Sequence, residues 1–493
     1  MSIKKTLVFL LALSMLITSF TGCSKKTDTA KETSNKATTK AETSTAATKD
    51  DVVTLKWITV GGGMPTNYDA WQKHINEYLA KKIGVNIDVE VVPWGDWDSR
   101  RDMIINSGEY FDILFTDGTK YANAAKLGAF LDITDMVKTK TPDLYKLIPE
   151  DYWKAASING KNYAVPTYKD SSATQYFVWD KAIVDKYKID YEKQNTFAAL
   201  TDKLKEVKAG EGTSPFILDK AGANVVYSNY DQMGLGLPAI GVKYNDDKRK
   251  VVSVFEQEDV LSQLDTLHTW YKEGIINADA PSLDAKPDYR MLGVAQGWSS
   301  AAKTTWGPNM GVEAVAAQTG DTLVLNDTVC GSLNAIYAAT KYPEKCLEFL
   351  QLINTDSYVR DAFYYGLEGE NFKYTDDKKI KKLNDDWNMA GYTQATFFNV
   401  TPLADSTVNQ WDEVKELNAK ATASVLLGFT LDTTNIQSEV ANCTAVYEKY
   451  KSTLLTGAKE PRALVKEMMK ELKASGFDKI TSEAQSQIDA AYK

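Results

Sequence analysis

The chain has 493 residues, 43% of them hydrophobic and 25% charged, the balance of an ordinary globular protein large enough to divide into more than one domain. Its formal net charge of −9, with no basic block, disfavours nucleic acid and other polyanions as partners. Its two histidines, His74 and His268, each sit in an apolar, helix-like stretch where a structural role is the default, so His-based metal sites and Ser/His/Asp triads are nearly excluded.

Lys4 and Lys5 open the chain, an apolar run follows from Leu7 to Phe20, and Thr21 and Gly22 precede Cys23. A basic start, a short apolar stretch and small residues make a secretory signal. The run is too short to span a bilayer comfortably, which takes about 20 apolar residues. Its end resembles a bacterial lipobox. That resemblance implies removal of residues 1–22, lipidation of Cys23 with a fatty acid such as palmitate, and anchorage to the outer face of the cell membrane. An ordinary cleaved signal with an incidental cysteine is the alternative. Residues 23–51 then form a linker: from Ser24 to Asp50 there is no aromatic residue and no Val, Ile or Leu, too little to offset the entropy of ordering. As a flexible coil it holds the rest of the chain on the order of 30 Å from the membrane. With Cys23 assigned to the anchor, Cys330, Cys346 and Cys443 are odd in number and lack a short paired spacing. Neither a disulfide framework nor a zinc site is indicated, and they read as small core residues.

From Val52 to Val60 the alternation and β-branched content predict a strand that runs into Gly61, Gly62 and Gly63. Trp71, Ile75, Tyr78, Leu79 and Ile83 fall at helical spacing between Tyr68 and Ile83, where Gly84 stops the helix. A strand over Asn86 to Val92, a helix over Asp98 to Asn106 and a continuous apolar strand over Phe111 to Phe115 follow. Strands separated by helices predict a parallel α/β sheet with right-handed crossovers. The triple glycine lacks Walker spacing and completes no dinucleotide fingerprint, so it reads as a turn near a ligand or a neighbouring strand. Further helices are predicted at Glu258 to Glu273, Pro343 to Ile353, Val414 to Leu426 and Pro461 to Ala474.

The stretch FDILFTDGTKYANAAKLGAFLDIT, with LYKLIPEDYWKAASINGKNYAVPTYKD and YFVWDKAIVDKY after it, resembles family 1 extracellular solute-binding proteins, the lipoprotein receptors of ABC importers. Asp117, Gly128 to Leu131, Asn159 to Pro166 and Tyr176 to Lys181 carry the resemblance, and Gly331 to Leu352 continues it. The segments WGDW, IPEDYW and YYGLEGENF look most like the LipO-type subgroup, which has a distinctive C-terminal region. The resemblance implies an α/β, two-lobed periplasmic-binding-protein-like fold of type II, with the ligand in a cleft between the lobes. Lobe one would take 52–165 plus 328–370 and lobe two 166–327 plus 371–493. The chain would cross between them near Val165 to Tyr168, Asn326 to Gly331 and Gly366 to Phe372. A monomer that needs no cofactor and catalyses nothing is implied, with three partners: a sugar or oligosaccharide, the membrane subunits of an ABC permease, and the bilayer through Cys23.

Composition agrees. Many aromatics stand in loops beside Gly, Asp or Asn, as in Trp94-Gly-Asp-Trp97, Tyr152-Trp153, Gly297-Trp298, Trp306-Gly307 and Tyr364-Tyr365-Gly366. A sugar needs flat rings for its C–H faces and carboxylates or amides for its hydroxyl rim. For any single tryptophan, core packing is an equal claim. The ligand-binding residues implied by the resemblance are Asp117 and Tyr121 after the third strand, Tyr168 and Lys169 at the first crossing, Trp298 as the stacking aromatic of lobe two and Trp306 beside it. Trp57 and Gly61 would line the first-strand edge and Glu368 the third crossing. Two rivals remain: a secreted glycoside hydrolase, with Asp96 and Asp98 or Glu368 and Glu370 as paired carboxylates, and a receptor for a peptide or amino-acid derivative.

Overall fold

The computed structural model describes residues 52–406 and 409–493; the expected signal, Cys23 and the linker up to Asp51 lie outside the described residues. The first sheet has five strands: β1 (Val53–Gly61), β2 (Val85–Pro93), β3 (Ile113–Thr116), β4 (Ala164–Pro166) and β8 (Leu333–Ile336), in the order β2-β1-β3-β8-β4. The second has four: β5 (Ala173–Asp180), β6 (Leu292–Gln296), β7 (Ala314–Val324) and β9 (Thr422–Ala423), in the order β6-β5-β7-β9.

β1 is buried on both faces, as the centre of a parallel sheet must be. Leu55 and Trp57 enter one apolar cluster, and Ile58 and Val60 enter another on the opposite face. The helix Tyr68–Ile83 lays Trp71, Ile75 and Leu79 onto the first of these, and Gly84 ends it in the left-handed region at φ 64°. β1, β2 and β3 are parallel, as predicted. β8 is not: it runs antiparallel to both β3 and β4. The second sheet is mainly antiparallel, with β5 between β6 and β7, and only β9 joins β7 in parallel.

Two stretches depart from the sequence reading. The predicted helix over Val414 to Leu426 is a helix over Gln410–Lys420, capped by the Asn409 side chain, after which Thr422 and Ala423 pair with Leu323 and Val324. Sheet pairing overrides the helical period there. The third passage between sheets also lies later than Gly366 to Phe372. Leu367, Met389 and Ala395 still pack with Trp57, and the chain joins the second sheet only at β9. Beyond β9, Leu427 sits in the cluster of the first sheet, while Leu426 and Phe429 sit in that of the second. Both histidines are structural: His74 Nε2 lies 2.6 Å from the Tyr358 hydroxyl and His268 Nδ1 lies 2.7 Å from the Gly457 carbonyl. Cys330, Cys346 and Cys443 are buried free thiols.

Candidate functional site

β1, β2 and β3 end side by side, with Gly61 paired to Pro93, so the loops that leave β2 and β3 share one edge of the first sheet. The first loop presents Trp94, 51% exposed, and the second presents Asp117 at the head of helix Gly118–Lys126. Trp94 stacks on Tyr392, with centroids 5.8 Å apart and planes only 9° from parallel. Tyr392 in turn meets Phe115 edge-on and lies 5.7 Å below the Lys169 ammonium. Burial, and then the negative charge of Asp117, push the Tyr392 hydroxyl up to about 12.

Tyr392 comes from a segment that doubles back over the sheet, and buried polar groups pin it there. Arg360, fully buried, donates to the carbonyls of Thr396, Gly391 and Ala395 and to the side-chain oxygen of Gln394, at 2.7 to 3.3 Å. Asn334 donates to the carbonyls of Thr393 and Gln394, Ser332 to that of Tyr392, and the Thr59 hydroxyl bonds that of Thr393. With no acidic group in its bonding shell, the guanidinium is pushed down to about 10 by burial.

The charged rim is set by neighbours. Asp117 accepts a long hydrogen bond of 3.5 Å from Arg101, whose side chain is itself buried, bonded to Asp98 at 2.6 Å, and stands 5.7 Å over the Trp97 ring. Burial raises the Asp117 carboxyl and Arg101 opposes the shift. Trp97 Nε1 and Thr116 Oγ1 are buried with no hydrogen-bond partner in the protein, and Arg101 Nε meets only the Asp102 carboxylate, at 3.6 Å. On the far side of Tyr392, Lys169 pairs with Asp170 at 2.9 Å, and its loop is clamped by Asn418, which donates to the Lys169 carbonyl and accepts from Ser172 N–H.

Asp117 and Lys169 therefore both lie near one ring, Tyr392. Others of the expected set do not. Trp57 is fully buried between Phe349 and Phe363 and donates to Asn334, so no face is left for a ligand. Tyr121 is buried, its hydroxyl spent on the Ala156 carbonyl and the Tyr163 N–H. Gly61 is covered by residues 388–390: a Cβ there would stand 2.8 Å from the Asn388 carbonyl, so the glycine serves close backbone approach. Tyr168 packs edge-on to Tyr152 and Phe398. Trp298 packs against Trp411, with its indole N–H buried and unpartnered, while Ser299 and Ser300 after it donate to Glu413. Trp306 lies against Tyr176 and over Gly297. Glu368 is exposed on another face, where its charge acts on Tyr358 and Tyr374. Trp94 stood among the loop aromatics of the sequence; Tyr392, Arg101 and Asp170 carried no local signal.

Two sheets, loops gathered at a strand edge and an exposed ring with polar groups around it define a solute-binding fold. Residues 61–317 match the family described as bacterial extracellular solute-binding protein, and the chain belongs to that family, whose members work outside the cytoplasm. Residues 425–493 match a domain of unknown function, DUF3502. A carbohydrate ABC transporter substrate-binding protein of Streptococcus pneumoniae serotype 4 is 27% identical over 465 residues, 91% of this chain and 93% of that protein. Among solved structures, the N-glycan transport solute-binding protein NgtS of Streptococcus pneumoniae superposes with TM-score 0.80 at 27% identity, over 89% of this chain and 98% of its own. In complex with Man1GlcNAc the same protein superposes with TM-score 0.70 at 26% identity, over 89% and 99%.

Proposed function

We propose that the protein captures an oligosaccharide outside the cell and delivers it to the membrane subunits of an ABC importer, with Trp94 as its stacking surface and Asp117 as a hydroxyl partner. The observation that carries this reading is the Trp94–Tyr392 pair: Tyr392 backs one face of Trp94, the ring is half exposed, and Asp117 heads the loop at the neighbouring strand end. The pneumococcal relatives, a carbohydrate receptor and an N-glycan receptor, support the ligand class. Nothing in this reading calls for a reaction.

The lobes of the proposal are built on the two sheets, 52–165 with 328–400 and 166–327 with 424–493. A glycan touching both lobes favours a more closed conformation than the present one. Anchorage through lipid on Cys23, a monomeric state and the narrower subgroup belong to the same proposal; the matched C-terminal domain supports the last.

Calorimetry with Man1GlcNAc and longer N-glycan fragments, paired with small-angle scattering, tests it: saturable binding with a smaller radius of gyration is expected. Release of reducing sugar, or no binding across oligosaccharides and peptides alike, overturns it. Labelling with fatty acid that is lost in Cys23→Ala tests the anchor.

A further inference from the structure

A second cavity, of about 320 Å³, lies where elements of the two cores meet. That volume is at the lower end of the range for small-molecule sites, about 300 to 1,000 Å³. Ala122 and Ile158 line it from the side of the first sheet, Met233, Leu235 and Phe429 from the side of the second. Asp327, exposed to solvent, stands among the lining on the crossing between β7 and β8. The Asp327 carboxylate accepts no hydrogen bond and meets no cation among the described residues. Lys126, the cationic residue of the lining, already pairs with Asp432 at 3.0 Å. Behind Asp327 lies a second carboxylate, Asp231, buried and held by Ser424 and the Met233 N–H. The cavity thus combines apolar walls with one carboxylate that pairs with no cation of the described residues, and its lining is two-sided. Desolvation beside the cavity walls and the Asp231 charge push Asp327 up to about 6, although the residue as a whole is exposed.

We propose that this cavity is a second ligand site, which takes a primary ammonium carried on an apolar body about the size of one aromatic ring. The ammonium pairs with Asp327 and the body fills the space between Ala122 and Phe429. Because the walls come from both cores and Asp327 from a segment that joins them, the cavity keeps this shape only at this lobe angle. Its occupant therefore holds the present conformation and opposes glycan binding, and glycan expels it by the same factor. This coupling rests on the function proposed above; binding at the cavity does not.

Benzylammonium, with benzyl alcohol as its neutral counterpart, is titrated calorimetrically into the full chain at pH 7.5, and thermal melting certifies each variant as folded. One site is expected, with the alcohol at least about tenfold weaker, a difference of about 1.4 kcal/mol. Asp327→Asn should weaken benzylammonium at least about tenfold and leave the alcohol unchanged. Ala441→Trp, at an exposed helix position on the cavity wall, should weaken both. Equal binding of amine and alcohol, or an Asp327→Asn variant that binds the amine as the wild type does, overturns the site. If the amine binds as expected and Man1GlcNAc affinity stays the same in its presence, the coupling is overturned while the site stands. Failure of every glycan to bind would sink the transport reading alone.

Discussion

Two aromatic pairs of nearly equal spacing behave as opposites. Trp94 and Tyr392 lie 5.8 Å apart and almost parallel; Trp298 and Trp411 lie 5.7 Å apart at 54°. The parallel pair leaves a flat outer face on an exposed ring, backed by a segment that Arg360 and Asn334 hold rigid. The tilted pair interlocks with Phe397 in an apolar cluster and encloses its own indole N–H. Ring spacing thus does not make a binding surface. The angle between rings and the stiffness of what stands behind them do.

The largest break in this comparison should come from Arg360→Met, which strands buried carbonyls along residues 391–396. A loss of about 3 kcal/mol or more is expected in denaturant unfolding, with glycan affinity falling as Tyr392 loses its place. Arg360→Lys should not rescue it, because a single ammonium cannot reach four acceptors in a fork. Wild-type stability in Arg360→Met would mean that Asn334 and Thr59 suffice to hold the segment.

Next in size, Trp298→Ala should cost about 2 kcal/mol of stability, the packing of a partly buried ring, with glycan affinity changed less than about threefold. Trp94→Ala should do the reverse: stability within about 0.5 kcal/mol of wild type, and glycan affinity lower by about tenfold. About 60 Å² of apolar contact at about 25 cal/mol per Å² accounts for that loss. Calorimetry and melting on the two variants side by side decide it, and exchanged phenotypes would move the stacking surface to Trp298.

The smallest effect concerns charge. Folding raises the Asp117 carboxyl, so in the native protein it becomes neutral at a higher pH than an ordinary aspartate. As an ionised acceptor of sugar hydroxyls, it should lose affinity as pH falls from 7 toward 4, by about threefold, and Asp117→Asn should flatten that dependence. Stability runs in the opposite sense, since ionisation of a group with a raised folded-state pKa costs the native state as pH rises. Asp117→Asn should therefore melt higher than wild type at pH 7 and alike at pH 3. A pH profile unaltered by the substitution would remove Asp117 from the rim.

Local pattern carried the elements whose own residues decide them. The helix Tyr68–Ile83 and the helix Pro461–Ala474 begin and end as their spacing, glycine and proline demand. What local pattern could not carry were pairings between distant stretches. β8 lies more than 200 residues beyond β3, and the antiparallel sense of that contact is visible in neither strand alone. The site shows the same limit. Trp57 has the residue type of a sugar platform, yet its alternation with Leu55 points it into the core. Trp94 was legible as a loop aromatic, but the ring that makes it a platform belongs to a segment almost 300 residues later, ordered by an arginine inside an apolar helix.

The last helix, Phe477–Ala491, places Phe477, Ile480, Ala484 and Ile488 in the same cluster as Phe177 and Trp179 of β5, some 300 residues upstream. The core of the second sheet is thus closed by a helix far along the chain from the strands it covers. Contacts of such sequence separation form slowly, because a long loop must close before any of them repays its entropy.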